Sequence, residues 1–257
     1  MTQEHVTFSF GENWLDYLDT IGEEQFQAAH EALERLLQTD DLAGQSFLDI
    51  GCGSGIHSLA AIKMGAGQVI GVDVDPFSVQ ASRQTQEKFG VPNWEIKKGS
   101  ILEADFWAKL DPADIVYSWG VLHHTGRMWP AIENASQLVK PNGKFVIAIY
   151  NKRPTSEFWL KFKRFYNRTN PVFKTMMVWS LVLPRIPVRL VKGKHPIKDR
   201  RGMNIYHDAI DWAGGLPYEY ASVAEIVEFC EQRGFKLIYF TETQSYGCNE
   251  FVFEKVS

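Results

Sequence analysis

Cysteine is scarce in this chain. Only Cys52, Cys230 and Cys248 occur in 257 residues. So odd and sparse a set provides no disulfide framework and suits a reducing compartment. No apolar run approaches the roughly 20 residues that a helix needs to cross a bilayer. The opening residues, M-T-Q-E-H-V-T-F-S-F, lack the basic and apolar regions of a secretory signal. The expectation is therefore a cytoplasmic chain. No Cys/His spacing of a zinc site appears, and no metal is expected. A net charge of −4 is too small to name a partner. With 45% hydrophobic residues, the chain can bury one large core, with or without a small lid.

What is present begins at Ser46, with S-F-L-D-I-G-C-G-S-G. A short apolar run breaks into alternating glycines, Gly51, Gly53 and Gly55, and a helical pattern follows with Ile56, Leu59, Ala60 and Ile62 on one face. A strand turning through glycines into a helix brings bare backbone N–H groups and a helix N-terminus near a ligand. The next apolar run, Val69-Ile70-Gly71-Val72, ends at Asp73, 22 residues after Gly51. That spacing places an acid at the tip of a second strand, where it can hold a ribose diol. The dinucleotide fingerprint G-x-G-x-x-G needs its third glycine at position 56, which is Ile56 here.

With Asp49 two residues before the first glycine, the stretch resembles the first motif of the class I S-adenosylmethionine-dependent methyltransferases. The resemblance covers about residues 1–150 and 222–257. It implies that S-adenosylmethionine is the cofactor. Asp49 would face its amino group, Gly51, Cys52, Gly53 and Gly55 would shape the turn, and Asp73 with Val74 would flank the ribose. The loop Gly99-Ser100-Ile101 would pack on the adenine, although the family commonly carries Asp where Ser100 stands. Trp119 would close the same edge, and an N-terminal segment over the site would bring Trp14 and Tyr17 to it. Packing the first helix onto the sheet is an equal role for those two aromatics. Cys52 reads as a small packing residue, not a nucleophile.

The rest of the chain fits this frame. Helical periodicity runs from about Glu23 to Gln38, and Asp75-Pro76 starts a helix to Phe89. Strands are expected at 94–97, 114–119 and 144–150, with a turn at Pro141-Asn142-Gly143. After a break, a helix over 222–233 and strands at 236–243 and 249–253 complete the pattern. The expected architecture is α/β: a Rossmann-like, doubly wound sheet of seven strands, the last antiparallel, plus a helical lid. Its parts would be N-terminal cap helices over 1–45, a cofactor domain over 46–151 and 222–257, and an insertion over 152–221.

The insertion has its own composition. Residues 152 to 203 hold 14 lysines and arginines against two acids, Glu157 and Asp199. Phe158, Trp159, Phe162, Phe165 and Tyr166 form an aromatic stripe with Lys161, Lys163, Arg164 and Arg168 between. Three roles fit: a lid on the sheet, peripheral contact with anionic lipid, or binding of an anionic ligand. Aromatics among cations can stack bases. No RNA-binding module accompanies them and the other residues are net acidic, so nucleic acid is not the expected partner.

For the acceptor, the end of the fourth strand reads Tyr117-Ser118-Trp119-Gly120. It lacks the Asp/Asn-Pro-Pro-aromatic motif of nucleic-acid amino methyltransferases and the acids of magnesium-dependent ones. The resemblance narrows to the metal-independent branch that includes quinone and natural-product methyltransferases. His123 and His124 follow at once and are candidate bases. His207, in the polar stretch closing the insertion, is a third candidate. The expected acceptor is a hydroxyl on a small or lipid-linked metabolite. An NAD-dependent oxidoreductase and a non-catalytic membrane- or RNA-associated protein stay open as alternatives, and the pattern sets no oligomeric state.

Overall fold

The computed structural model describes residues 22–191, 193, 195, 205–243 and 247–256. Its frame is a seven-stranded sheet in the order β3-β2-β1-β4-β5-β7-β6. The strands are β1 (Ser46–Ile50), β2 (Gln68–Asp73), β3 (Trp94–Lys98), β4 (Ala113–Trp119), β5 (Val139–Tyr150), β6 (Phe235–Thr241) and β7 (Cys248–Lys255). The first five are parallel, and β7 lies antiparallel between β5 and β6. The strand order reverses between β1 and β4, and in such sheets the crevice at that reversal receives ligands.

Helices cover both faces. On one side α1 (Glu23–Leu37), α2 (Ile56–Lys63) and α3 (Pro76–Phe89) pack on Phe47, Val69, Ile115 and Tyr117. After a short α4 (Ala104–Trp107), α5 (Met128–Gln137) covers the other side over Leu48, Val116, Phe145 and Phe253. Both faces being buried explains why β1 and β2 read as continuous apolar runs. Local chemistry sets α3: the Asp75 side chain accepts from Phe77 N–H at 2.8 Å, Pro76 opens the helix, and Gly90 ends it in the left-handed region.

One expected turn is part of a strand. The fifth strand begins at Val139, not Lys144, because Ala113 pairs with Val139 and Ile115 with Lys144. The surplus residues around Pro141-Asn142-Gly143 bulge out, with Asn142 at φ 60°.

From β5 the chain leaves the sheet into α6 (Ser156–Arg168), α7 (Pro171–Val182), α8 (Arg185–Val191) and α9 (Ile205–Gly214), and returns to α10 (Val223–Glu231). Its two ends meet. Lys152 N–H donates to the Ala221 carbonyl at 3.0 Å and Ala221 N–H to the Tyr150 carbonyl at 3.1 Å. The inserted helices have a small core of their own, built from Tyr166, Val178, Val182, Ile205, Ala209 and Ala213.

Candidate active site

The glycine turn after β1 is folded tightly on itself. Gly51 and Cys52 N–H both donate to the Val72 carbonyl, Gly53 N–H donates to the Asp73 carboxylate at 3.0 Å, and Gly55 N–H donates to the Cys52 carbonyl. The expectation of bare N–H groups is therefore corrected, since these four amides are already paired. A pyrophosphate needs free N–H donors at this turn and meets two carboxylates instead, so the geometry does not favour a dinucleotide. Glycine is required for close approach. A Cβ at Gly51, φ +77°, would lie 2.4 Å from the Val121 side chain, and one at Gly55, φ +75°, would lie 2.1 Å from the Trp94 ring. The Gly51 contact seats the loop after β4 directly against the turn.

Two carboxyls flank it. Asp49 is buried on the α1–α3 side, where it accepts from the Ser58 hydroxyl at 2.7 Å and from the Ser58 backbone. Burial, with Asp73 nearby, raises its pKa to about 7. Such a group gains from a cationic partner. Asp73, at the tip of β2, accepts from Gly53 N–H on one oxygen and from Asp75 N–H on the other at 2.9 Å, with the Val74 backbone adding a weaker bond. Each oxygen keeps acceptor capacity for a hydroxyl. Burial raises this carboxyl's pKa as well.

The other turn residues divide by role. Ser82 spends its only proton on the Gly53 carbonyl at 2.9 Å, so the Cys52 thiol is the donor in the 3.3 Å contact between them. Burial pushes that thiol's pKa well up. A protonated, buried thiol is inert packing. Val74 is exposed beside Asp73. Gly99 N–H donates to the Asp73 carbonyl at 2.9 Å, which brings Ser100 to the same edge, where its hydroxyl accepts from Leu102 N–H. The Ile101 side chain is buried in the core beneath this edge. The Trp119 N–H donates to Glu250 on β7 at 2.9 Å, away from β1. That leaves Trp119 as a wall beside His57, not a hydrogen-bond donor to a ligand at the turn. Trp14 and Tyr17 lie outside the described residues, as does the side chain of His207 on α9.

The two adjacent histidines differ. They form a 3-10 turn, Leu122–His124, after β4. His123 is fully buried, with its ring 4.0 Å from that of Tyr150 and 4.4 Å from that of His124. Among the described residues neither nitrogen has a hydrogen bond of good geometry, although the Ala148 backbone lies close enough to favour the protonated ring. Burial holds its pKa well below the usual imidazole range. In this state it cannot meet an acceptor. His124 is half-buried, and its Nδ1 lies 2.7 Å from the Pro217 carbonyl. A carbonyl only accepts, so Nδ1 carries the hydrogen and Nε2 carries the lone pair. Burial lowers its pKa to about 4, with nearby Lys163 adding to the shift.

Further groups, not named as site residues from the sequence, surround the histidine turn. Lys163, on α6, is fully buried and donates to the Trp212 carbonyl. Its ammonium lies 4.5 Å from the Trp212 ring centre and 4.9 Å from that of Tyr218. It has no ion pair among the described residues, and burial lowers its pKa to about 7. Tyr218 packs on Tyr150 at 5.2 Å. Glu219 clamps the histidine turn: its N–H donates to the His123 carbonyl at 3.0 Å, and its carboxylate accepts from Met128 N–H. The signal for Lys163 lies in helical phase, because Trp159, Phe162, Lys163 and Tyr166 share the inward face while Phe158 and Phe165 point out.

Comparison with known proteins agrees with this geometry. The family profile described as "Methyltransferase domain" matches residues 41–180. A ribosomal protein L11 methyltransferase from Photobacterium profundum is 39% identical over 112 residues, covering 44% of this chain and 36% of that protein. The chain thus matches about a third of the length of this curated relative. Among solved structures, magnesium protoporphyrin IX methyltransferase from Synechocystis PCC 6803, with bound S-adenosylhomocysteine, superposes with a TM-score of 0.58 at 17% identity, covering 96% of this chain and 95% of that one. The same enzyme with bound S-adenosylmethionine also gives 0.58, at 15% identity, covering 96% and 92%. At such identities the likeness is one of fold.

Proposed function

The chain belongs to the methyltransferase-domain family, and from that premise we propose that it is an S-adenosylmethionine-dependent enzyme that methylates a hydroxyl on a compact small or lipid-linked metabolite, with His124 as the base. S-adenosylmethionine supplies a methyl group on a sulfonium, open to in-line displacement. The protein has to add alignment and, for a hydroxyl acceptor, a destination for the proton. The paired carboxyls fit the cationic donor. Asp49 would hold its amino group, and Asp73 would hold the ribose hydroxyls.

The observation that carries the reading is the fixed tautomer of His124. Its Nδ1–H is held by the Pro217 carbonyl, so the Nε2 lone pair belongs to a loop seated on the glycine turn. A pKa near 4 keeps this ring unprotonated at neutral pH. Tyr150, Tyr218 and the inserted α6 and α9 crowd the same place, which suits a compact acceptor better than a folded protein. Buried Lys163 would complement an acidic group on that acceptor.

A second reading takes its support from the curated relatives, whose name specifies ribosomal protein L11. The two separate in one experiment. The protein is incubated with isotope-labelled S-adenosylmethionine and either a deproteinised metabolite extract or purified ribosomal protein L11. Label in a small hydroxylated metabolite, lost in His124→Ala, supports the first. Label in L11 alone overturns it.

A further inference from the structure

The inserted helices have an outward side that the methyl-transfer site does not use. On α7, Val178 and Val182 are buried, whereas Val172, Phe173, Met176 and Trp179 are exposed, Val172 at 69% and Met176 at 60%. Their spacing of i, i+1, i+4 and i+7 places them on one side of the helix. A largely apolar α-helix is ordinarily enclosed on most sides, and α7, whose polar residues are Lys174, Thr175 and Ser180, is covered on one side only among the described residues. The neighbouring helices extend the feature. Phe158 and Phe165 face outward from α6, one above the other, and Val188 and Val191 are exposed on α8.

Charge identifies what fits there. Lys161, Arg164 and Arg168 on α6 are exposed among these apolar side chains, as is Arg185 on α8, which pairs with Asp208 at 3.7 Å. The segment from 152 to 203 carries a net charge of +12, whereas the chain as a whole carries −4. We propose that the outward face of α6, α7 and α8 docks on a bilayer containing anionic lipid. A second copy is the poorer occupant, because a two-fold contact sets each basic patch against itself. The helices lie in the interface without crossing it. At 12 residues, α7 is about 18 Å long against a hydrocarbon core of about 30 Å, and no described helix is long and apolar enough to span. A tryptophan beside basic and apolar side chains suits the headgroup boundary. The opposite side of α6 carries Lys163 to the histidine turn, so the docked helix is also a wall of the site. Docking of this face is independent of which acceptor is methylated.

The test is co-sedimentation of the full chain with phosphatidylcholine vesicles, with and without phosphatidylglycerol, at low and high salt. Two double variants, Phe173→Ser/Met176→Ser and Arg164→Gln/Arg168→Gln, change only exposed side chains, and their circular dichroism spectra check the fold. The protein is expected to sediment with phosphatidylglycerol vesicles only, to be released by salt, and to bind about tenfold or more weakly in each variant. Three results would overturn the proposal. One is no binding to phosphatidylglycerol vesicles, and another is equal binding by parent and folded variants. The third is self-association by light scattering that Phe173→Ser/Met176→Ser abolishes while vesicles stay unbound.

Discussion

His124 and Pro217 are 93 residues apart in the chain, yet the imidazole Nδ1 sits 2.7 Å from the proline carbonyl. That contact joins the loop after β4 to the end of the insertion and selects the tautomer with the lone pair on Nε2. His123, its neighbour, is packed behind it against Tyr150. His124→Ala is therefore expected to lower kcat by about 10²–10⁴-fold while leaving S-adenosylmethionine affinity unchanged by calorimetry. His123→Ala should act through stability, lowering Tm. Equal kcat in His124→Ala and the parent would remove His124 as the base.

The acid limbs of the rate profiles separate the groups. Free-enzyme Asp49 titrates near 7 because burial favours its neutral form, and a cationic donor needs the carboxylate. Protonation competes with binding, so donor affinity should fall as pH drops below about 7, by up to about tenfold per pH unit. In the saturated complex kcat should hold until pH approaches 4, where His124 protonates. A fall of kcat itself near pH 7 would mean that a group other than His124 accepts the proton.

Asp73→Ala should weaken S-adenosylmethionine binding by about 1–3 kcal/mol through lost charge-assisted hydrogen bonds. It also frees the Gly53 N–H that the carboxylate now accepts, so Asp73→Asn is the milder comparison. Calorimetry on both variants checks this, and unchanged affinity would refute the ribose assignment.

Lys163 leaves a signature in stability. Its folded pKa near 7 lies below the ordinary 10.5, so between those values the unfolded chain holds a proton that the folded chain has released. Folding stability from this group therefore rises with pH across that window, by up to about 1.4 kcal/mol per pH unit. Denaturant unfolding at pH 7 and pH 9 should show that gain in the parent and not in Lys163→Met. Equal pH slopes would mean that the amine is solvated.

Gly55→Ala should cost about 2–4 kcal/mol, combining a left-handed backbone with overlap on Trp94. Gly44→Ala, at φ +76° with nothing within 4 Å, isolates the backbone part at about 1 kcal/mol. Similar losses in the two variants would contradict the packing account of Gly55.

These groups differ in how far the chain announces them. Asp75-Pro76 with Gly90, and the run from Ser46 to Asp73, are governed by neighbours within a few residues, so their helix, strands and turn are legible directly. The amides of the glycine turn are not, because their partners Val72 and Asp73 are on another strand. Trp119 reads as free for a ligand until Glu250, 131 residues on, takes its N–H. Ile101 offers the same apolar side chain to a pocket or a core, and only packing decides between them. Lys163 is hidden by its type, since a lysine among surface cations gives no sign of burial except its place in the helical repeat.

The most direct test of the donor site is a calorimetric titration of the purified chain with S-adenosylmethionine and, separately, with NAD. The predicted result is saturable S-adenosylmethionine binding that weakens below pH 7, with no heat from NAD. Saturable NAD binding with no response to S-adenosylmethionine would contradict the account.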